Sequence, residues 1–291
     1  TRTTTLNDTS DVWDFDSADL MPEADPDSEG VWEIPANVVL NSDYEELGSE
    51  LVTNGDFATD SNWDKTGTWE ISEGIALSTG NGSTQYLGQD VGIVTGKTYK
   101  ITYSIITNTL SNDRLLMSGT SSFTSTQIPS SIGQNTVYLT ASQTPSSSFD
   151  VRFANSATNS SGVISIDNIS IKQVDPNSRW TLGTGWTISG GIASCDGTNS
   201  ALLFQSLSGT TTGDTFEVTY TISSYVSGSV FVGFGSGLVQ PSGTTRNADG
   251  TYTEILTKTS VSTSFGFKSV SFVGSIDNVT VTEYAIQPQD V

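Results

Sequence analysis

Histidine is absent from the chain's 291 residues. Its absence excludes a Ser-His-Asp or Cys-His nucleophile pair, a histidine-ligated metal and an imidazole pH switch. Cys195 is the single cysteine, so no internal disulfide can form, and it reads as a small filler in a strand or turn. Carboxylates are the most abundant reactive groups, 32 against 11 Lys and Arg. Glycoside hydrolysis needs two of them about 5–10 Å apart, one with a raised pKa. Glu70 and Glu73 are the nearest candidates, but Glu70 shares the wet side of its segment with Thr68, and no partner with a raised pKa can be named. The chain therefore reads as a non-enzyme. Asp167 and Asp277 each follow Ile and precede Asn and a β-branched apolar residue. Apolar residues three apart break a period of two, which predicts a bulge where each Asp bonds its own backbone. Tyr86 and Phe123 lie among Ser, Thr and Gly, which makes them candidate platforms for a sugar ring, with incidental placement the alternative. Trp63, Trp69, Trp180 and Trp186 read as core residues.

The elements that position these residues follow from composition and pattern. Apolar residues make up 34% and charged residues 15%, and the balance is Ser, Thr, Asn and Gly, as in all-β proteins rich in turns. The net charge of −21 makes a nucleic-acid partner improbable, because phosphate binding depends on clustered Lys and Arg. No apolar run approaches the ~18–20 residues of a membrane-spanning helix. Thr1 opens the sequence with no charged-then-apolar signal after it, the expectation for a mature chain or one lacking only its initiator Met.

After residue 50 the sequence repeats. Trp63 and Trp69 recur as Trp180 and Trp186, both at an offset of 117. Gly96-Lys97-Thr98-Tyr99 recurs as Gly213-Asp214-Thr215-Phe216 at the same offset, Phe149 is matched with Phe265, and Ser165-Ile166-Asp167-Asn168 closes as Ser275-Ile276-Asp277-Asn278. Separated blocks at one offset indicate a duplicated domain. Tyr99, Ile101, Tyr103 and Ile105 alternate with polar residues, as do Phe216, Val218, Tyr220 and Ile222, which predicts strands with one buried face. The first 50 residues differ. They hold 14 acidic residues and one basic residue, with apolar anchors at Trp13, Phe15, Leu20, Met21, Trp32, Ile34 and Val38-Val39-Leu40. Ser42 and Glu45 fit a capping box with Leu47-Gly48 as a stop, predicting one helical turn over 43–47.

The block Leu51-Val52-Thr53-Asn54-Gly55-Asp56-Phe57, with Trp63, Trp69, Gly74-Ile75-Ala76, Gly96-Lys97-Thr98-Tyr99 and Ile166-Asp167-Asn168-Ile169-Ser170-Ile171, resembles carbohydrate-binding-module jelly rolls of the type found in tandem on bacteriophage tail fibres and other virion proteins. The resemblance covers about residues 50–285. It implies an all-β chain of two tandem jelly-roll β-sandwiches, residues 51–175 and 176–291, behind an extended acidic arm, residues 1–50. The second copy has no Leu51–Phe57 counterpart directly ahead of it, so it either lacks that strand or uses residues 174–180. In the resembled family the Asp at 167 and 277 can ligate a structural Ca2+, but the acidic neighbour expected after the early Phe is absent, since Ala58 follows Phe57. No other metal or cofactor is implied.

The expected function is that of a phage virion structural protein on the virion surface, a tail or head fibre or a capsid-decoration protein. Its arm would anchor through Trp13, Phe15, Leu20, Trp32, Ile34, Val38 and Leu40 to capsid, neck or tail subunits. Its jelly rolls would cement neighbours or adhere to host-surface glycans, with a homo-oligomer expected by analogy with fibres. The alternative is a soluble or cell-surface glycan-binding protein.

Overall fold

The structure is a computed structural model that describes residues 36–118, 121–144 and 149–284. The described residues are all-β and divide into two compact units: 46–176, and 36–45 together with 177–284. One domain is thus inserted into the other along the chain. The first is called here the inserted domain and the second the split domain.

The inserted domain has ten strands: β1 (Asp64–Lys65), β2 (Glu70–Ser72), β3 (Ile75–Thr79), β4 (Gln85–Gln89), β5 (Thr98–Asn108), β6 (Leu115–Met117), β7 (Thr126–Ile128), β8 (Gly133–Thr140), β9 (Val151–Asn155) and β10 (Val163–Gln173). They form two antiparallel sheets of five strands, ordered β1-β4-β9-β6-β7 and β2-β3-β10-β5-β8. The alternation read at 99–105 holds in β5, where Tyr99, Ile101, Tyr103 and Ile105 are buried and the residues between them are half-exposed. Trp63, Trp69, Leu87, Phe153, Ile164 and Ile166 join the same core. Full burial of such side chains contributes about 1.5–3 kcal/mol each, far above an exposed ion pair such as Lys65–Asp60.

The split domain repeats this plan with longer strands: β11 (Thr181–Leu182), β12 (Trp186–Ser189), β13 (Ile192–Asp196), β14 (Leu202–Ser206), β15 (Thr215–Phe234), β16 (Gly250–Thr257) and β17 (Ser264–Glu283). β15 covers the places of β5 and β6, and β17 those of β9 and β10, so these two crossing strands join all seven into one continuous sheet. The crossing bends at Ser224, Gly228 and Ser271, all at positive φ. Only glycine fits at 228, because a Cβ there would lie 1.9 Å from the Ser271 carbonyl. The ladders match Val151, not Phe149, with Phe265, since Gln89 pairs with Val151 and Gln205 with Phe265.

The opening strand of the split domain is neither missing nor supplied by 174–180. Residues 37–44, which precede the inserted domain, fill it. Val38 N–H donates to the Val281 carbonyl (2.9 Å), as Leu51 donates to Ile171 (3.1 Å). Val279 N–H reaches Ser42, as Ile169 N–H reaches Gly55. The Gln205 side chain clasps the backbone of Leu40, and Gln89 clasps that of Thr53. Trp180 Nε1 donates to the Asn41 carbonyl and Trp63 Nε1 to Asn54, with Tyr44 and Phe57 packed on the respective indoles at 5.1 and 5.5 Å. The helical turn expected over 43–47 does not form. Tyr44 takes positive φ and is buried against Trp180, so the segment closes as a turn, and Leu47 bridges Val174.

Candidate functional site

The inserted domain carries a cation–aromatic pair on the outward face of the β1-β4-β9-β6-β7 sheet, where Tyr86 and Arg152 are half-buried and Gly88 and Ala154 are buried. Directly opposite residues of an antiparallel ladder share a face. One outward row is therefore Tyr86, Ala154, Leu116 and Gln127, and the next is Asp64, Gly88 and Arg152. The Arg152 guanidinium lies 3.6 Å above the Tyr86 ring centroid. Gly88 makes this diagonal reach feasible: a Cβ there would come within 3.2 Å of Arg152 Cγ and 3.3 Å of Phe149. Thr66 fixes the strand from its other side. Its Oγ1 accepts Tyr86 N–H (2.8 Å) and its N–H donates to the Tyr86 carbonyl (2.9 Å). An apolar ring edge, a planar array of N–H donors and neighbouring hydroxyl and amide groups can together hold a polyhydroxylated ligand.

Just beyond this row Asp150 closes the 90–94 loop. Its oxygens accept Val91 N–H (2.9 Å) and Ile93 N–H (2.6 Å). Burial pushes its pKa up; the two N–H bonds oppose this, and neighbouring Asp90 adds to the rise.

The equivalent face of the split domain aligns Leu202, Lys268 and Phe231 in one row and Phe204, Gly266 and Gly233 in the next. A further charged cluster in that domain is structural: Glu254 accepts from Tyr220 Oη (2.9 Å) and Thr244 N–H (2.5 Å) and pairs with Arg246, tying the 243–246 segment to β16.

Of the residues singled out from sequence, Tyr86 is half-buried on the face just described. Phe123 is in the interior, 1% exposed and edge-on to Tyr99 at 6.1 Å, so it offers no platform; its polar neighbours gave a false signal of exposure. All four repeat tryptophans are buried, and Cys195 packs in β13 opposite Trp186. Trp13, Phe15, Leu20, Trp32 and Ile34 lie outside the described residues. Val38 and Leu40, expected on a foreign partner, have their backbones bound within their own split domain, although the Leu40 side chain is half-exposed. Arg152 and Gly88 were missed. The available signal was strand alternation, which puts residues 86, 88, 152 and 154 on one face once β4 and β9 are paired.

The bulges at Asp167 and Asp277 are present. Asn168 and Asn278 take positive φ, and each donates its N–H to the preceding Asp at 2.6 Å. Asp167 is engaged through both oxygens, since Asn168 Nδ2 donates to the second at 2.9 Å, and Ala58 follows Phe57, so the inserted domain does not fit a calcium site there. In the split domain Tyr44 takes the place of Phe57 and Glu45 follows it, but no group of three metal-ligating acidic side chains occurs among the described residues.

No protein-family model matches the chain, and no curated protein matches it. Among solved structures it is similar to the N-terminal CBM22-1–CBM22-2 tandem domain of Xyn10C from Paenibacillus barcinonensis, at 9% identity and a TM-score of 0.32, with 82% of this chain and 98% of that one covered.

Proposed function

We propose that the chain is a non-catalytic glycan-binding protein whose primary saccharide site is the Tyr86–Arg152 face of the inserted domain. The observation that carries this reading is the guanidinium laid over the ring and held there across Gly88. The arrangement pre-orders a long cationic side chain, so ligand binding loses less side-chain entropy. It sets a cationic group beside an apolar ring, a combination suited to a hydroxyl-bearing sugar. A glycan array run with the full chain and with Tyr86→Ala tests it. Binding that the substitution removes supports the reading, and equal binding by both proteins would end it.

A second reading, attachment to a larger assembly such as a phage virion, draws on one feature only. Residues 1–35 hold ten acidic residues and one basic residue, with Trp13, Phe15 and Trp32 among them. Such a segment complements a basic, apolar-grooved partner surface. Its test is deletion of residues 1–35 alone, because residues 37–44 belong to the split domain. Undiminished incorporation into particles by the shortened chain would remove this reading.

A further inference from the structure

The opposite sheet of the inserted domain has an outward row that the fold does not explain. Lys172 of β10 stands directly opposite Lys100 of β5, and Lys100 directly opposite Tyr138 of β8. Like charges placed so in a ladder work against stability. Both lysines are half-exposed, and neither has a carboxylate or hydrogen-bond partner among the described residues. This occurs in a chain with only 11 cations and a net charge of −21, where carboxylate neighbours would be easy to supply. Glu50, which bonds to residues next to Lys172 in β10, is already engaged: its oxygens accept from Ser170 Oγ (2.5 Å) and from Ile171, Leu51 and Val52 N–H groups. The rows on either side are hydroxyls: Thr98 bonded to Thr140 on one, and Ser170, Thr102 and Thr136 on the other. The split domain keeps the fold at this row and not the chemistry. Its matching residues are Thr282, Glu217 and Ile255. The sandwich therefore does not require the cation pair.

We propose that the Lys100–Lys172–Tyr138 row is a second binding surface, for an acidic polysaccharide bearing carboxylate or sulfate groups. Two lysines whose Cβ atoms lie about 5 Å apart can bring their ammonium groups to bracket one such anion, and the flanking hydroxyls suit the sugar around it. The proposal rests on the glycan-binding reading but uses a different sheet, so the two can fail separately.

The test is titration of the full chain, at low and moderate salt, with an oligogalacturonate, a sulfated oligosaccharide and a neutral xylo-oligosaccharide. It compares wild type, Tyr86→Ala, a chain lacking residues 1–35, and a double variant carrying Lys100→Glu and Lys172→Thr, the residues of the split domain. The double variant is expected to lose tenfold or more of its affinity for at least one acidic ligand, and none for a neutral ligand that Tyr86→Ala weakens. The acidic ligand's affinity should also fall with added salt. Equal affinity of wild type and double variant for both acidic ligands would overturn the proposal. Acidic-ligand binding seen only after residues 1–35 are deleted would overturn it as well, since the surface would then be the dock of the chain's own acidic leader.

Discussion

On the proposed function, the Tyr86 and Arg152 side chains and the bare backbone of Gly88 define the saccharide site, and each can be tested by itself. Arg152→Ala removes the cation and leaves the Tyr86 ring, so glycan affinity should fall about tenfold with the fold intact. Gly88→Val should fall nearly as far without touching either residue, because the added methyls occupy the path of the Arg152 stem. Binding isotherms of the two variants, with circular dichroism as the control for folding, check both. Tyr44 makes a residue-scale prediction about stability. Its hydroxyl is buried without a hydrogen-bond partner among the described residues, and burial, then the Asp277 carboxylate, holds its pKa far above the ordinary phenol value. Phe57 fills the matching place without an orphaned group, so Tyr44→Phe should stabilise the split domain by about 1 kcal/mol in thermal unfolding. Sequence showed Tyr86 because polar neighbours surround it. The same cue misled at Phe123, where Ser121 and Ser122 are themselves buried and hydrogen-bonded.

Elements were more legible than sites. Strands β5 and β15 follow from strict alternation, and the bulges at Asp167 and Asp277 from apolar residues three apart, because a buried face leaves few alternatives to a period of two. The opening strand of the split domain is hard to read from sequence because the inserted domain separates it from Trp180. Its pattern was present earlier: Val38-Val39-Leu40-Asn41-Ser42-Asp43-Tyr44 answers Leu51-Val52-Thr53-Asn54-Gly55-Asp56-Phe57, with Asn at the positive-φ position in both. Element-scale electrostatics differ between the domains. Asp150 in the inserted domain has a raised pKa, so its contribution is present in acid and lost as pH rises through its folded value. Asp196 and Asp214 in the split domain have lowered values, owing first to bonds from Thr198 Oγ1 and from Thr211 N–H respectively. Their contribution is present above the ordinary carboxylate pKa and lost as pH falls through their folded values. Acidification from about pH 6 to about pH 3 should therefore lower the melting temperature of the split domain more than that of the inserted domain, as followed by calorimetry.

At the scale of the whole molecule the chain is nested. Residues 37–44 complete a domain whose remainder begins at Asn177. Removing residues 1–35 should leave both domains folded. Removing residues 1–45 takes away the buried Val39 and Tyr44 and every hydrogen bond of the opening strand. That loss, at least about 5 kcal/mol, is comparable to the stability of an ordinary domain, so the split domain should unfold while the inserted domain still melts cooperatively. Two calorimetric transitions in the first truncation and one in the second are expected. On the proposed function a saccharide seats on the outward face of β4 and β9. Mapping amide chemical shifts during titration with a bound oligosaccharide tests it most directly. Perturbations are expected to gather at Tyr86, Gly88, Arg152 and Ala154, and perturbations confined to other surfaces would contradict a saccharide site there.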